Sequence, residues 1–195
     1  MPRPVSDKVE TRPERAGDEP AIRAVLEAAF ETPAEADLVD ALRAGGHLVP
    51  ELCLVAEAGG EVVGYIAFSR ARLEEGGVAA GAAAGAGAAS GAGGPELLAL
   101  APMAVHPGRQ NAGIGYDLVY DALQRAEETS YPLVVVLGHP DYYPRFGFDP
   151  ASAYGIACPY PGVPPEAWMA YTLPAYTPGI SGTVRYADPF TVATP

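Results

Sequence analysis

The sequence predicts a mixed α/β domain in which helices cover a sheet of both parallel and antiparallel strands, on three observations. Two amphipathic helical stretches near the N-terminus give way to two β-compatible runs that flank Gly59-Gly60. A strand, a glycine-bearing loop, a helix and another strand then follow in order from "ELLALAPMAVHP" to "YPLVVVLGHP". The C-terminal part, rich in Pro and Tyr, offers two further short strands. Strand, helix and strand in succession form a parallel crossover, whereas strands joined by a two-residue turn are antiparallel. A length of 195 residues suits one domain with a sizeable core.

Each element has a local cause. After an extended segment from Val9 to Arg12, Asp18 is placed to cap a helix whose Ile22, Val25, Leu26, Ala29 and Phe30 share one face. In "TPAE" Thr32 reads as an N-cap, Pro33 as the first helical residue and Glu35 as the far half of a capping box, opening a second helix with Leu38, Val39 and Leu42 inward. It should end at Gly45-Gly46, since glycine closes helices cheaply. Within "ELCLVAEAGGEVVGYIAFSRARLE" the Gly59-Gly60 pair supplies the positive φ angles of a tight hairpin turn. The stretch 76–94 holds only Gly, Ala, Ser and one Val, too little apolar bulk to offset its ordering entropy, and is expected to be a flexible loop. "LVVVL" suits a central strand buried on both faces, and "AWMAYTL" and "GTVRYA" supply the last strands.

Composition limits the functional classes. With 12 Lys+Arg against 24 Asp+Glu the net charge is -12, which opposes nucleic-acid and anionic-membrane partners and mildly favours cationic ones. Two cysteines, Cys53 and Cys158, make no disulfide framework, and a reducing compartment is expected. The charged N-terminus lacks the apolar run of a signal peptide, and no stretch is long and apolar enough to span a membrane, so a cytoplasmic location is expected. No His/Cys set has metal-ligand spacing, so no metal is expected. Tyrosines in the C-terminal strands are compatible with a homodimer.

The most informative stretch is "HPGRQNAGIGYDLVYDALQRA". A loop here turns into a helix with Leu118, Val119, Ala122, Leu123 and Ala126 on one face, so the unpaired amides of the helix start point into the loop. Glycines at 113 and 115 would let an anion reach those amides, and the helix dipole would favour it. The same glycines could equally serve only to permit a tight turn. The third glycine of a dinucleotide fingerprint is missing, with Leu118 in its place, and no Gly-Lys-Ser/Thr is present for a nucleoside triphosphate.

The combination "LAPMAVHPGRQNAGIGYDLV", with its Gln110-x-x-Gly113-x-Gly115 segment, and downstream "LVVVLGHPDYYPRFGF" resembles the GCN5-related N-acetyltransferase (GNAT) family, and within it the YhbS-like bacterial group. The likeness covers nearly the whole chain. It implies the GNAT fold: a mixed, mostly antiparallel central sheet with flanking helices, whose parallel fourth and fifth strands, Leu97 to Val105 and Leu133 to Leu137, splay apart. It also implies acetyl-CoA as cosubstrate. On that resemblance the backbone of Met103, Ala104 and Val105 holds the pantetheine arm, and Gln110, Asn111, Ala112, Gly113, Ile114, Gly115 and Tyr116 form the pyrophosphate loop. Many members carry a basic residue where this chain has Asn111 and Ala112, and a small or basic one where it has Tyr116; Arg109 is the nearby cation.

The chemistry requires an uncharged amine, donors for a developing oxyanion and an acid for the departing thiolate. "YYPRFGF" offers two tyrosines, either of which could instead be packing residues of a short helix capped by Gly147. By position relative to Phe146-Gly147-Phe148, the resemblance assigns the acid to Tyr143. A phenol near ~10 stays protonated at neutral pH and can donate to a thiolate whose acid is near ~8.5. His47, His106, His139 and Glu96 are the candidates for a base, with Asp141 able to attract an amine, and each has an ordinary structural reading. The expected function is direct acetyl transfer to a primary amine, the acceptor being unspecified; the alternative is an acyl-CoA-binding module without turnover.

Overall fold

The computed structural model describes residues 8–74 and 94–191. Most of the Gly/Ala-rich stretch read as a flexible loop lies outside the described residues. In chain order the elements are β1 (Val9–Pro13), α1 (Glu19–Ala29), α2 (Ala34–Ala44), β2 (Leu54–Ala58), β3 (Glu61–Glu74), β4 (Glu96–Val105), α3 (Ile114–Ala126) and β5 (Leu133–Leu137), then the short strands β6 (Asp149–Pro150), β7 (Ile156–Ala157), β8 (Trp168–Thr172) and β9 (Gly182–Arg185).

One sheet runs in the order β1-β2-β3-β4-β5-β8-β6, with β9 beside the far end of β3 and β7 beside β9. Its pairings are antiparallel except β4 with β5 and β7 with β9. The β2/β3 turn carries Gly59 at φ 59° and Gly60 at φ 86°, the two positive angles a tight hairpin needs.

Helix α3 covers one face, burying Ile114, Leu118, Val119, Ala122, Leu123 and Ala126 against Leu98, Leu100, Val134 and Val136. Helices α1 and α2 cover the other, packing Ile22, Val25, Leu26, Leu38, Val39 and Leu42 against Val55, Tyr65, Ala67 and Ala104. Burying each such aliphatic side chain is worth about 1.5–3 kcal/mol, so the amphipathic stripes seat these helices. As its composition requires, β5 is buried on both faces: Val134 and Val136 face α3, while Leu133 and Val135 join Trp168 and Val184 on the opposite side.

The helix starts differ from their sequence signals. Asp18 stands at the α1 N-cap position without capping it; its carboxylate accepts from Arg12 at 2.7 and 3.0 Å and from the Arg15 amide at 2.8 Å. A guanidinium within reach competes better for a carboxylate than a helix amide does. At α2, Thr32 Oγ1 accepts only a long 3.4 Å bond from the Ala34 amide, and Glu35 closes no capping box, one carboxylate oxygen being buried without a partner.

Candidate active site

The site begins where two parallel strands part. Strands β4 and β5 pair only at Leu98–Val134 and Ala99–Val135. Beyond Ala99, β4 continues to Val105 beside β3 alone, and β5 continues to Leu137 beside β8 alone. Leu137 is accordingly 43% exposed although it belongs to a central strand. A bulge accompanies the parting: Phe68 pairs Leu100 and Ile66 pairs Met103, three steps on β4 against two on β3. Pro102, which has no N–H for a ladder, sits in the bulge. The extra residue reverses the alternation, so Met103 and Val105 join Leu98 and Leu100 on the α3 side while Ala104 faces α1 and α2.

At the end of β4 the chain enters the loop. A 3₁₀ turn over Pro107–Arg109 is fixed by His106 Nδ1, which accepts from the Gly108 amide at 3.2 Å, and Gln110 Nε2 donates to the Val105 carbonyl at 3.1 Å. Asn111 at φ 62° and Gly113 at φ 86° then adopt left-handed conformations, tolerable for asparagine and free for glycine. This double reversal brings the first turn of α3 beside β4, where a Cβ on Gly115 would stand 3.6 Å from the Val105 side chain and 3.7 Å from that of Met103. The first intrahelical bond here runs from the Asp117 amide to the Gly113 carbonyl at 3.0 Å, leaving the amides of Ile114, Gly115 and Tyr116 without a helical acceptor.

Tyr143 opens the 3₁₀ turn Tyr143–Phe146, which Tyr142 immediately precedes and Gly147 closes at φ 94°. Tyr143 is buried in the α3-side core, with its ring edge-on to Phe148 at 5.5 Å and laid against Gly138, where a Cβ would overlap it. Burial pushes its phenol well above the ordinary tyrosine range. Tyr142 reaches the other way. Its hydroxyl lies 2.9 Å from the point where a Cβ on Gly115 would stand, beside the Met103 and Val105 side chains, and is buried without a hydrogen-bond partner. Burial raises this phenol too.

These residues fit a long anionic thioester, with a gap between strands for a narrow arm and helix amides without helical acceptors for its charged end. Sequence comparison decides the family, since a profile of the Acetyltransferase (GNAT) family matches residues 20–148. The chain belongs to the GNAT acetyltransferase family. The uncharacterized N-acetyltransferase YjhQ of Escherichia coli K12 is 36% identical over 172 residues, 86% of each chain. The uncharacterized N-acetyltransferase YhbS of the same strain is 34% identical over 176 residues, 89% of this chain and 93% of its own length. The crystal structure of E. coli YhbS in complex with CoA superposes with a TM-score of 0.80 at 32% identity, covering 98% of this chain and 96% of that one. A Brucella melitensis GNAT acetyltransferase in complex with acetyl-CoA gives 0.70 at 29% identity, covering 94% and 99%.

Within this GNAT acetyltransferase the residues expected from sequence divide clearly. Met103 and Val105 of β4, Gly115 of the loop and the Tyr142 hydroxyl lie together, while Tyr143 packs behind Tyr142 against Gly138 and Phe148. The candidate bases are engaged elsewhere. Glu96 lies at the opposite end of β4, paired with Arg72 at 2.8 Å. His47 packs on Gly45 at the end of α2. His106 and His139 stand just beyond β4 and β5, but each engages the lone pair of Nδ1 with a turn amide, Gly108 at 3.2 Å and Asp141 at 3.3 Å. A neutral ring so engaged carries its proton on Nε2 and has no second lone pair for an amine. The thiols offer no nucleophile: burial pushes Cys53 up to about 11 and raises Cys158 as well, whereas reactive thiols are lowered.

Sequence reasoning assigned no distinct task to Tyr142. The available signal was Gly115, whose missing side chain clears the space that the hydroxyl takes.

Proposed function

We propose that the chain transfers the acetyl group of acetyl-CoA directly to a primary amine, as a single cytoplasmic domain over residues 1–195. The observation that carries this reading is the parting of β4 from β5 immediately before a loop that leads into a helix whose first three amides have no helical acceptor. Met103, Ala104 and Val105, on the unpaired edge of β4, hold the pantetheine arm; the amides of residues 111–116 hold the pyrophosphate, with Gln110 bracing the loop on the Val105 carbonyl. Acetyl-CoA supplies an activated acyl carbon and a thiolate leaving group. Backbone N–H groups of β4 stabilise negative charge at the acyl oxygen, and Tyr143 gives its proton to the sulfur. A phenol held above its ordinary range remains protonated throughout the physiological interval.

No cysteine is poised for a covalent intermediate, so the amine attacks the thioester itself. The amine must arrive uncharged, and the histidines at the cleft leave its deprotonation to solvent. The acidic chain, at net charge -12, favours cationic acceptors over anionic ones.

Calorimetric titration with acetyl-CoA and CoA tests the site, alongside a Gly113→Glu variant that puts a carboxylate into the loop. Binding by the wild type and its loss in the variant are expected; absence of wild-type binding would overturn the reading. An amine screen then separates turnover from simple binding. Tyr143→Phe should lower kcat about 10²-fold or more while leaving the CoA Kd within about twofold. Equal turnover in that variant would remove Tyr143 from the chemistry.

A further inference from the structure

The orphaned hydroxyl of Tyr142 points to a second role within the "YYPRFGF" segment. We propose that Tyr142 is a cofactor-binding residue whose hydroxyl donates a hydrogen bond to the pyrophosphate at the start of α3, so that adjacent tyrosines divide the work: Tyr143 toward the sulfur, Tyr142 toward the phosphates. The inference rests on the acetyl-CoA reading of the cleft.

The position of the hydroxyl follows from helix geometry. In an α-helix the Cα–Cβ bond tilts toward the N-terminus. The would-be Cβ of Gly115 therefore lies on the N-terminal side of its Cα, and the hydroxyl is 2.9 Å from that point, beside the turn whose Ile114, Gly115 and Tyr116 amides have no helical acceptor. The hydroxyl is buried and has no partner, and a buried hydroxyl without one is costly. An unpartnered hydroxyl and acceptor-free amides thus share the first turn of α3, which suits an acceptor rich in lone pairs and negative charge. A diphosphate meets that need; a neutral amide of the pantetheine arm would satisfy only one of them.

The ring is held to this task from several sides. Tyr142 packs edge-on against Tyr143 at 5.1 Å and at a tilt against Phe146 at 5.4 Å, and the Arg145 guanidinium lies 4.7 Å from its centroid while Arg145 Nε donates to the Tyr142 carbonyl at 3.1 Å. Such packing fixes the hydroxyl before the ligand arrives, which lowers the ordering cost of binding.

The test compares wild type with Tyr142→Phe by calorimetry with CoA, by thermal unfolding of the free protein and by ³¹P spectra of bound CoA. The variant is expected to weaken CoA about tenfold or more, as loss of a hydrogen bond to a charged group does. Its free-protein unfolding midpoint should be equal or higher, because the unpartnered hydroxyl is gone. The pyrophosphate resonances should move while the 3′-phosphate resonance stays. Unchanged CoA affinity, or pyrophosphate resonances identical in the two proteins, would overturn the assignment while leaving the acetyl-CoA site intact. Failure of the wild type to bind CoA would instead overturn the site, and this inference with it.

Discussion

The Tyr142 hydroxyl stands over Gly115, 2.9 Å from the position a side chain there would take, and couples the 3₁₀ turn after β5 to the first turn of α3. Replacing a helical glycine by alanine ordinarily stabilises by up to about 1 kcal/mol. In the wild type that gain should be cancelled or reversed, because the new methyl meets the hydroxyl of a ring already wedged against Phe146. In a Tyr142→Phe background Gly115→Ala should stabilise by about 0.5–1 kcal/mol. Denaturant unfolding of the four proteins of the cycle measures the coupling, expected to exceed about 0.5 kcal/mol. The same effect in both backgrounds would show that the two residues do not meet.

Leu137 tests the gap between the strands. It is exposed only because β4 has turned away, so a larger side chain there extends into the cleft without displacing core atoms. Leu137→Trp should leave stability within about 0.5 kcal/mol, as surface substitutions do. It should also weaken CoA binding severely. Unimpaired binding by a folded Leu137→Trp protein would place the pantetheine arm elsewhere.

Much of the fold around this cleft was legible in the sequence, and for identifiable reasons. Periodicity located α3 because Leu118, Val119, Ala122 and Leu123 fall on a stripe wide enough to be buried. Gly59-Gly60 located the hairpin because few other pairs accept two positive φ angles. The bulge at Pro102 was not legible, since an extra residue changes which side chains face α3 without altering the apolar character of "LLALAPMAV". The histidines were equally opaque: a His-Pro pair looks the same whether its ring faces a substrate or accepts from a turn amide. Capping signals at Asp18 and Thr32 marked the helix starts to within a residue or two while giving the wrong bonds. Competition from Arg12 for the Asp18 carboxylate is a tertiary fact.

That competition has a pH signature. Arg12, hydrogen-bonded to Asp18 and only 18% exposed at its side chain, holds the Asp18 carboxyl below its ordinary 3.8, against the smaller opposing effect of burial. A lowered folded-state value means the pair's stabilisation is complete above the unfolded value and is lost as pH falls through the lower folded one. Asp18→Ala should therefore cost about 1.5–3 kcal/mol at neutral pH. Urea unfolding at descending pH should show that difference steady from about pH 8 to 5 and shrinking below about 4, where unfolded aspartate itself protonates. A gap that instead grew toward acid would mean that Asp18 is not held ionised by Arg12.

The rate profile tests how the acceptor loses its proton. An internal histidine or carboxylate base would make kcat/KM level off once that base ionises, for an ordinary histidine near ~6.5. His106 and His139 have their Nδ1 lone pairs on the Gly108 and Asp141 amides, and Glu96 is at the wrong end of β4, so the fraction of free amine should set the rate. With a lysine-like acceptor of pKa near ~10.4, log kcat/KM should climb with unit slope from about pH 6 to 9. Tyr143 imposes no descending limb in that interval: an acid must be protonated to act, and burial moves its titration further above the ordinary ~10. The acid limb should shift with acceptor basicity, moving down when an amine of lower pKa is used. A plateau fixed near neutrality for acceptors of different basicity would require a protein base, and His106→Ala and His139→Ala would then be the first variants in which to look for its loss.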